Sequence, residues 1–218
     1  MRQIYLSIDL DYWRHAEVFR GEREVLRFFR RVFSLDTTIA VAVHHHHLLE
    51  HINSCHDLTE VVNVDFHSDL ADMSDTLDVN EGSWANFVRD RSRMTFTWRY
   101  PGSECITSSY GVAPGYCHLG QNPFEVPEAT DWRRVRMRHG LARVPWSRVC
   151  AVGVCLSPGW IGDLSTIYYP MDKLHLYEWY ARWQESAEAY GHNDCMRVGE
   201  VKGEKKAKIR LHRSCFVV

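Results

Sequence analysis

Apolar residues recur along the chain with two different periods. Ile4 to Leu10 is a short apolar run with β-branched residues, bounded by Asp9 and Asp11, and it predicts a buried strand with acids at its carboxyl end. From Glu17 to Phe33 the apolar positions Val18, Phe19, Val25, Leu26, Phe28, Phe29, Val32 and Phe33 fall at helical spacing between Arg and Glu, which predicts an amphipathic helix. Thr37 to Val43 reads as a second strand, His44 to Ile52 as the start of a helix, and Glu60 to Phe66 as a third strand. That alternation of strand and helix is the signature of an α/β protein built on a parallel sheet.

The second half is less regular. Gly82 to Arg91 is a candidate short helix and Met94 to Tyr100 a strand. Pro101 to Asp131, rich in Gly, Pro and Ser, reads as a long loop of the kind that often carries function. Val149 to Leu156 is another buried strand, running into Ser157-Pro158-Gly159-Trp160. Pro170 to Tyr190 predicts a long helix carrying Tyr177, Trp179, Tyr180 and Trp183, and the tail from Gly199 to Val218 is a candidate final strand. No repeat or linker interrupts the chain. The expectation is one domain over residues 1–218, a three-layer sandwich around a mainly parallel sheet.

Composition narrows the class without identifying it. With 45% hydrophobic and 25% charged residues, the 218-residue chain is that of a soluble globular domain, not a disordered one. A net charge of -2 gives no bulk electrostatic case for nucleic acid or anionic lipid. No apolar run approaches the roughly 18 residues of a membrane span, and the opening MRQIYLSIDLDYW lacks the plan of a signal peptide, so a cytoplasmic protein is expected. The 7 cysteines contain no C-x-x-C pair, which argues against a zinc ribbon or thioredoxin motif; they read as reduced, small apolar fillers. The run Arg133, Arg134, Arg136, Arg138 reads as a solvated face.

Histidine is the exception. Of 13 His, those at 44, 45, 46, 47, 51, 56 and 67 crowd between positions 44 and 67, beside Asp57, Asp65 and Asp69. Asp65-Phe66-His67-Ser68-Asp69 has the form D-x-H-x-D, and Asp9-Leu10-Asp11 the form D-x-D. At a strand end alternate residues point to one side, so each motif can converge on a point. A lone D-x-D is common in loops and caps, and a lone His run is commonly a solvated face. Here the acids after the first strand, the His run after the second and the D-x-H-x-D after the third all lie at carboxyl ends, where α/β sheets bind ligands. Four carboxylates, His67 and one His of the run make a hard, oxygen-rich donor set suited to Mn²⁺, Fe²⁺ or Mg²⁺. Two divalent ions would balance the four negative charges.

These motifs resemble those of the arginase/deacetylase superfamily, and most closely its small ureohydrolase-like branch with the peptide arginases of ribosomal peptide biosynthesis. The similar stretches are Ser7 to Trp13, Ala42-Val43-His44-His45 followed by Leu48-Leu49, Val64 to Leu70, Glu81-Gly82-Ser83-Trp84, and Ser157-Pro158-Gly159. In ordinary arginases the D-x-D comes last; here it comes first, a permuted order. The resemblance implies a ureohydrolase-like fold holding two Mn²⁺ ions. One would be bound by His45, Asp65, Asp69 and Asp9, the other by Asp65, His67, Asp9 and Asp11, with Asp65 and Asp9 bridging. Within the run His45 best fits the family's helix spacing; His44 comes next, and His46 and His47 stay open. The implied reaction is hydroxide attack on a guanidinium carbon, with Asp69 and His67 as catalytic groups. It would turn arginine of a precursor peptide into ornithine and urea. Glu81 and Asp163 are candidate anionic receptors for the guanidinium, and Trp84 or Trp160 a candidate stacking face. The alternatives are a hydrolase of a small guanidino compound or acetylated amine, and a non-catalytic, metal-stabilised peptide-binding module.

Overall fold

The computed structural model describes residues 3–13, 22–70, 79, 82–101, 131–158, 167–178, 180–181 and 200–202. Seven strands form one sheet: β1 (Gln3–Asp9), β2 (Thr38–Ala42), β3 (Leu58–Val64), β4 (Thr95–Tyr100), β5 (Arg134–His139), β6 (Val149–Cys155) and β7 (Glu200–Lys202). Their order is β5-β4-β3-β1-β6-β2-β7. The first six are mutually parallel, and β7 closes the β2 edge antiparallel.

Helices pack on both faces. In α1 (Glu22–Phe33), Val25, Phe28, Phe29, Val32 and Phe33 are buried, an i, i+3, i+4, i+7, i+8 stripe. Glu22 and Glu24 in its first turn and Arg30 and Arg31 in its last suit the helix dipole. That stripe packs with α3 (Tyr168–Lys173) on Ile4, Leu6, Ile8, Val62, Val64, Val152 and Val154. The opposite face buries Tyr5, Val61, Phe96, Trp98, Ala151 and Cys155 beneath Leu48 and Ile52. Ile52 belongs to α2 (Leu49–Ser54), which a 3-10 turn (His45–Leu48) introduces. The strand alternation is therefore fixed: even positions of β1 meet α1, and odd positions, Asp9 included, meet the α2 side.

Chain order creates a switch point. From β1 the connection runs to β2 on one side; from β3, the neighbour of β1, it runs to β4 on the other. The crevice outside the ends of such a pair is where open α/β sheets bind ligands.

Several elements differ from the sequence reading. The arginine run is largely exposed, as expected, but it lies on an edge strand, β5, that the sequence reading does not give; Arg136 there is 3.9 Å from Glu60. The stretch Gly82 to Arg91 yields only 3-10 turns at Trp84–Phe87 and Arg91–Arg93. The long helix expected from Pro170 is interrupted at Leu174 and His175, the latter at φ 55°, before helical residues resume at 176. Residues 17–21 of the expected first helix, 102–130 of the long loop, 182–190 of the last helix and 203–218 of the tail lie outside the described residues. Among the described residues no helix is long and apolar enough to cross a membrane.

One glycine is required by contact. A Cβ on Gly153 would lie 2.3 Å from the Tyr5 hydroxyl and 2.9 Å from Leu48 Cδ1. Its absence lets the buried Tyr5 reach His51 Nδ1 at 2.9 Å. Gly153→Ala is expected to lower stability by about 1–3 kcal/mol through overpacking. A fall in denaturant midpoint at unchanged m-value would show it, and an unchanged midpoint would refute the crowding.

Candidate metal centre

The sheet register sets the frame of the site. Ile8 pairs with Val64, so Asp9 and Asp65 leave neighbouring strands side by side. Asp9 pairs with Cys155, and Cys155 with Ala42 of β2, three residues before His45. Asp65, Asp9, Cys155 and the His run thus form a row across β3, β1, β6 and β2 at their carboxyl ends.

Of the four consecutive histidines, His45 is the buried one, at 1% exposure. His44, His46 and His47 are half-buried and pack on one another, with ring centroids 4.1–5.9 Å apart. His45 Nδ1 lies 3.2 Å from Asp9 Oδ2, 3.0 Å from Asp65 Oδ2 and 3.0 Å from Asp69 Oδ2. Its Nε2 meets the Ser7 hydroxyl at 2.7 Å. When Nε2 carries the proton and donates it to Ser7, Nδ1 presents its lone pair to the three carboxylates.

A second cluster adjoins the first. His67 Nδ1 lies 3.0 Å from Asp11 Oδ2 and 3.7 Å from Asp65 Oδ1. Asp65 therefore offers one oxygen to each cluster. Its Oδ1 also accepts the His67 backbone N–H at 2.7 Å, and its Oδ2 the Asn63 amide at 3.2 Å. Asp9 is turned differently. Its Oδ2 faces His45 and accepts the Ser157 hydroxyl at 2.5 Å, while its Oδ1 accepts the Asp11 backbone N–H at 3.0 Å.

Trp84, the candidate stacking face, is fully buried and engaged. Its indole N–H donates to Asp69 Oδ2 at 2.6 Å, and its ring lies against His45 with centroids 4.6 Å apart. In that position it holds two members of the cluster. Glu81, Asp163 and Trp160 lie outside the described residues. Ser7, Asn63 and Ser157 also stand at the cluster; the motif stretches contain Ser7 and Ser157 without giving either a role, and they leave out Asn63. The signal for the first two is simple: each stands two residues before an acid at a strand end, on the same face. Asp69 at φ 57° and Ser157 at φ 45° hold left-handed backbone. Such strain costs on the order of 1–3 kcal/mol per residue and gathers at functional sites.

Burial and crowding set the charge states of the cluster. Burial first, then Asp69 and Asp9, push Asp65 up to about 8. Asp9 is raised by burial and then by Asp11, and Asp11 by burial and then by Asp65. Burial pulls His67 down, but Asp11 and Asp65 outweigh it and lift it to about 9. His45 rises well above the ordinary histidine value for the same reason, with Asp69 the largest of its raising influences. Carboxylates packed this closely away from water call for positive charge among them.

The residues fit a divalent ion in two respects. Neighbouring donors around a six-coordinate ion with bonds of about 2.1 Å stand about 3.0 Å apart, the separation of His45 Nδ1 from Asp65 and Asp69. Moreover, buried His45 Nδ1 and Asp11 Oδ2 make no properly directed hydrogen bond despite these short separations. Atoms that converge without pointing at one another suit coordination to a shared cation better than hydrogen bonding. Donor groups with metal-holding separations are Asp11-Asp65-His67, His45-Asp65-Asp69 and Asp9-His45-Cys155. Compared with protein-family models, with curated proteins and with solved structures, the chain matches none.

Proposed function

We propose that this chain is a two-metal hydrolase of guanidinium groups, converting arginine side chains of a precursor peptide to ornithine and urea with two Mn²⁺ ions. One observation carries the reading. Asp65 turns Oδ2 toward His45 and Oδ1 toward His67, which suits a carboxylate bridging two ions. The resemblance of D-x-D and D-x-H-x-D to ureohydrolase motifs, in permuted order, supports the same assignment.

His45, Asp69, Asp65 and Asp9 would hold one ion, and Asp11, His67 and Asp65 the other. Asp9 would be the second shared ligand, its Oδ1 keeping the Asp11 N–H as Asp65 Oδ1 keeps the His67 N–H. Bound ions would supply an activated water and Lewis acidity toward the guanidinium carbon. The protein's part is to hold the donors. Ser7 fixes the His45 ring, Asn63 spans Asp65 and Asp69 at 3.2 and 3.3 Å, and Trp84 pins Asp69. Asp69, held by these contacts, would orient the water and pass its proton to the departing amine, the role the resemblance implies.

The test is to load the protein with Mn²⁺ and offer arginine-containing peptides, free arginine and agmatine. Each converted arginine is expected to lower the peptide mass by one urea less the one water consumed. Turnover of free arginine or agmatine with peptides untouched would overturn the peptide assignment. Full metal occupancy without urea release from any of them would favour the binding-module reading.

A further inference from the structure

We infer that Cys155 is a thiolate donor to the ion held by His45 and Asp9, and that it shifts this half of the centre toward thiophilic ions such as Zn²⁺ or Co²⁺. The inference rests on the metal-centre reading above and goes beyond its all-oxygen and imidazole ligand set. Nothing in the sequence motifs marks Cys155, which reads there as a small apolar filler.

Three observations place it. Cys155 pairs with Asp9 on one side and with Ala42 on the other, so it stands between the strands that deliver Asp9 and His45. Its sulfur, a carboxylate oxygen of Asp9 and a ring nitrogen of His45 lie within 4.8 Å of one another, all three side chains buried. An ion with bonds of about 2.0–2.3 Å joins donors up to about 4.3 Å apart, which falls inside that limit. The third observation is independent of the sulfur: His45 Nδ1 is buried without a directed hydrogen bond and faces this cluster.

The surroundings of the thiol suit the role. Cys155 Sγ lies 3.1 Å from Ser157 Oγ and 3.4 Å from the Val43 carbonyl. Ser157 in turn donates to Asp9 Oδ2. When the sulfur–metal bond forms, the S–H bond breaks and its proton leaves to solvent. Ser157 has one proton to give, so beside the thiolate it donates either to the sulfur or to Asp9 Oδ2. A soft sulfur in a set of hard oxygens makes the two halves of the centre unequal: the half at Asp11 and His67 keeps hard donors suited to Mn²⁺ or Mg²⁺.

Cobalt substitution reads this directly. The metal-stripped full chain, titrated with Co²⁺, is expected to show visible ligand-field bands together with a near-ultraviolet sulfur-to-cobalt charge-transfer band. Cys155→Ser should lose the charge-transfer band and keep the ligand-field bands, while Cys150→Ser should keep both. In competition, the preference for Zn²⁺ over Mn²⁺ should fall by about tenfold or more in Cys155→Ser. Ligand-field bands without charge transfer in the unmodified protein would overturn the thiolate assignment and leave the metal centre standing. A charge-transfer band that survives in Cys155→Ser would overturn it as well. Failure to take up cobalt at all would overturn the metal centre itself.

Discussion

Asp65→Asn is expected to abolish binding of both ions at once, measured as metal-to-protein stoichiometry after dialysis. Among the described residues Asp65 is the carboxylate in ion-pair distance of both His45 and His67, so neutralising it removes a donor from each cluster. Other ligand variants should behave differently: Asp11→Asn is expected to lose one equivalent and retain the other. The metal-free Asp65→Asn protein should be at least as stable as the unmodified protein. A carboxyl held up to about 8 penalises the folded state at neutral pH, by an amount on the order of a few kcal/mol, and the amide escapes that penalty. Thermal unfolding without metal should therefore show an equal or higher midpoint, and added Mn²⁺ should raise it no further. Retention of two equivalents in Asp65→Asn would refute the shared-carboxylate site.

The second large effect is on pH. In the metal-free protein Asp65 is raised to about 8, and Asp9 and Asp11 are raised as well. A raised acid leaves the fold unpenalised below its unfolded value and costs stability increasingly as pH climbs toward the folded one. His67, raised to about 9, contributes stability fully below the ordinary histidine value and loses it as pH rises through about 9. All of these groups weaken the metal-free fold as pH rises from about 4 to about 9. Ion binding expels the same protons, so affinity moves the opposite way. The gap in melting temperature between Mn²⁺-loaded and metal-free protein should widen steadily from about pH 6 to about pH 9. A gap constant across that range would show that these groups are not the ligands.

How much of this the residues announce differs from element to element. β1, β2, β3 and β6 are legible because strands buried on both faces become nearly continuous apolar runs. β5 is not, although Arg134-Val135-Arg136-Met137-Arg138 alternates with the period of a strand. At an edge the alternation carries only two apolar side chains, and Met137 is itself 40% exposed, so charge hides the pattern. The break at His175 depends on a positive φ at a residue that does not demand it. Five of the six ligand candidates are legible because strand-end chemistry needs particular residue types two apart; His45 stands out from its run only by its burial. Their supports are not: Ser7, Asn63 and Ser157 are ordinary polar residues, and only the register between β1, β3 and β6 makes them neighbours of the acids. Trp84 looks like a binding platform on composition alone, and its burial against His45 and Asp69 gives it a supporting place instead.

The strand order has a consequence for how the molecule assembles. Asp11, Asp65 and His67 come from the ends of β1 and β3, which pair directly. His45 follows β2, which reaches β1 only through β6, and β6 begins more than a hundred residues later in the chain. The Asp11 half needs only the pairing of β1 with β3, whereas the His45 half would need β6 between β1 and β2, a contact with a large loop-closure cost. An ion at His45 would then act as a latch on the last-inserted strand. It would slow escape of β6 from the middle of the sheet while hardly hastening its arrival, so the centre would govern the lifetime of the native state more than the speed of reaching it.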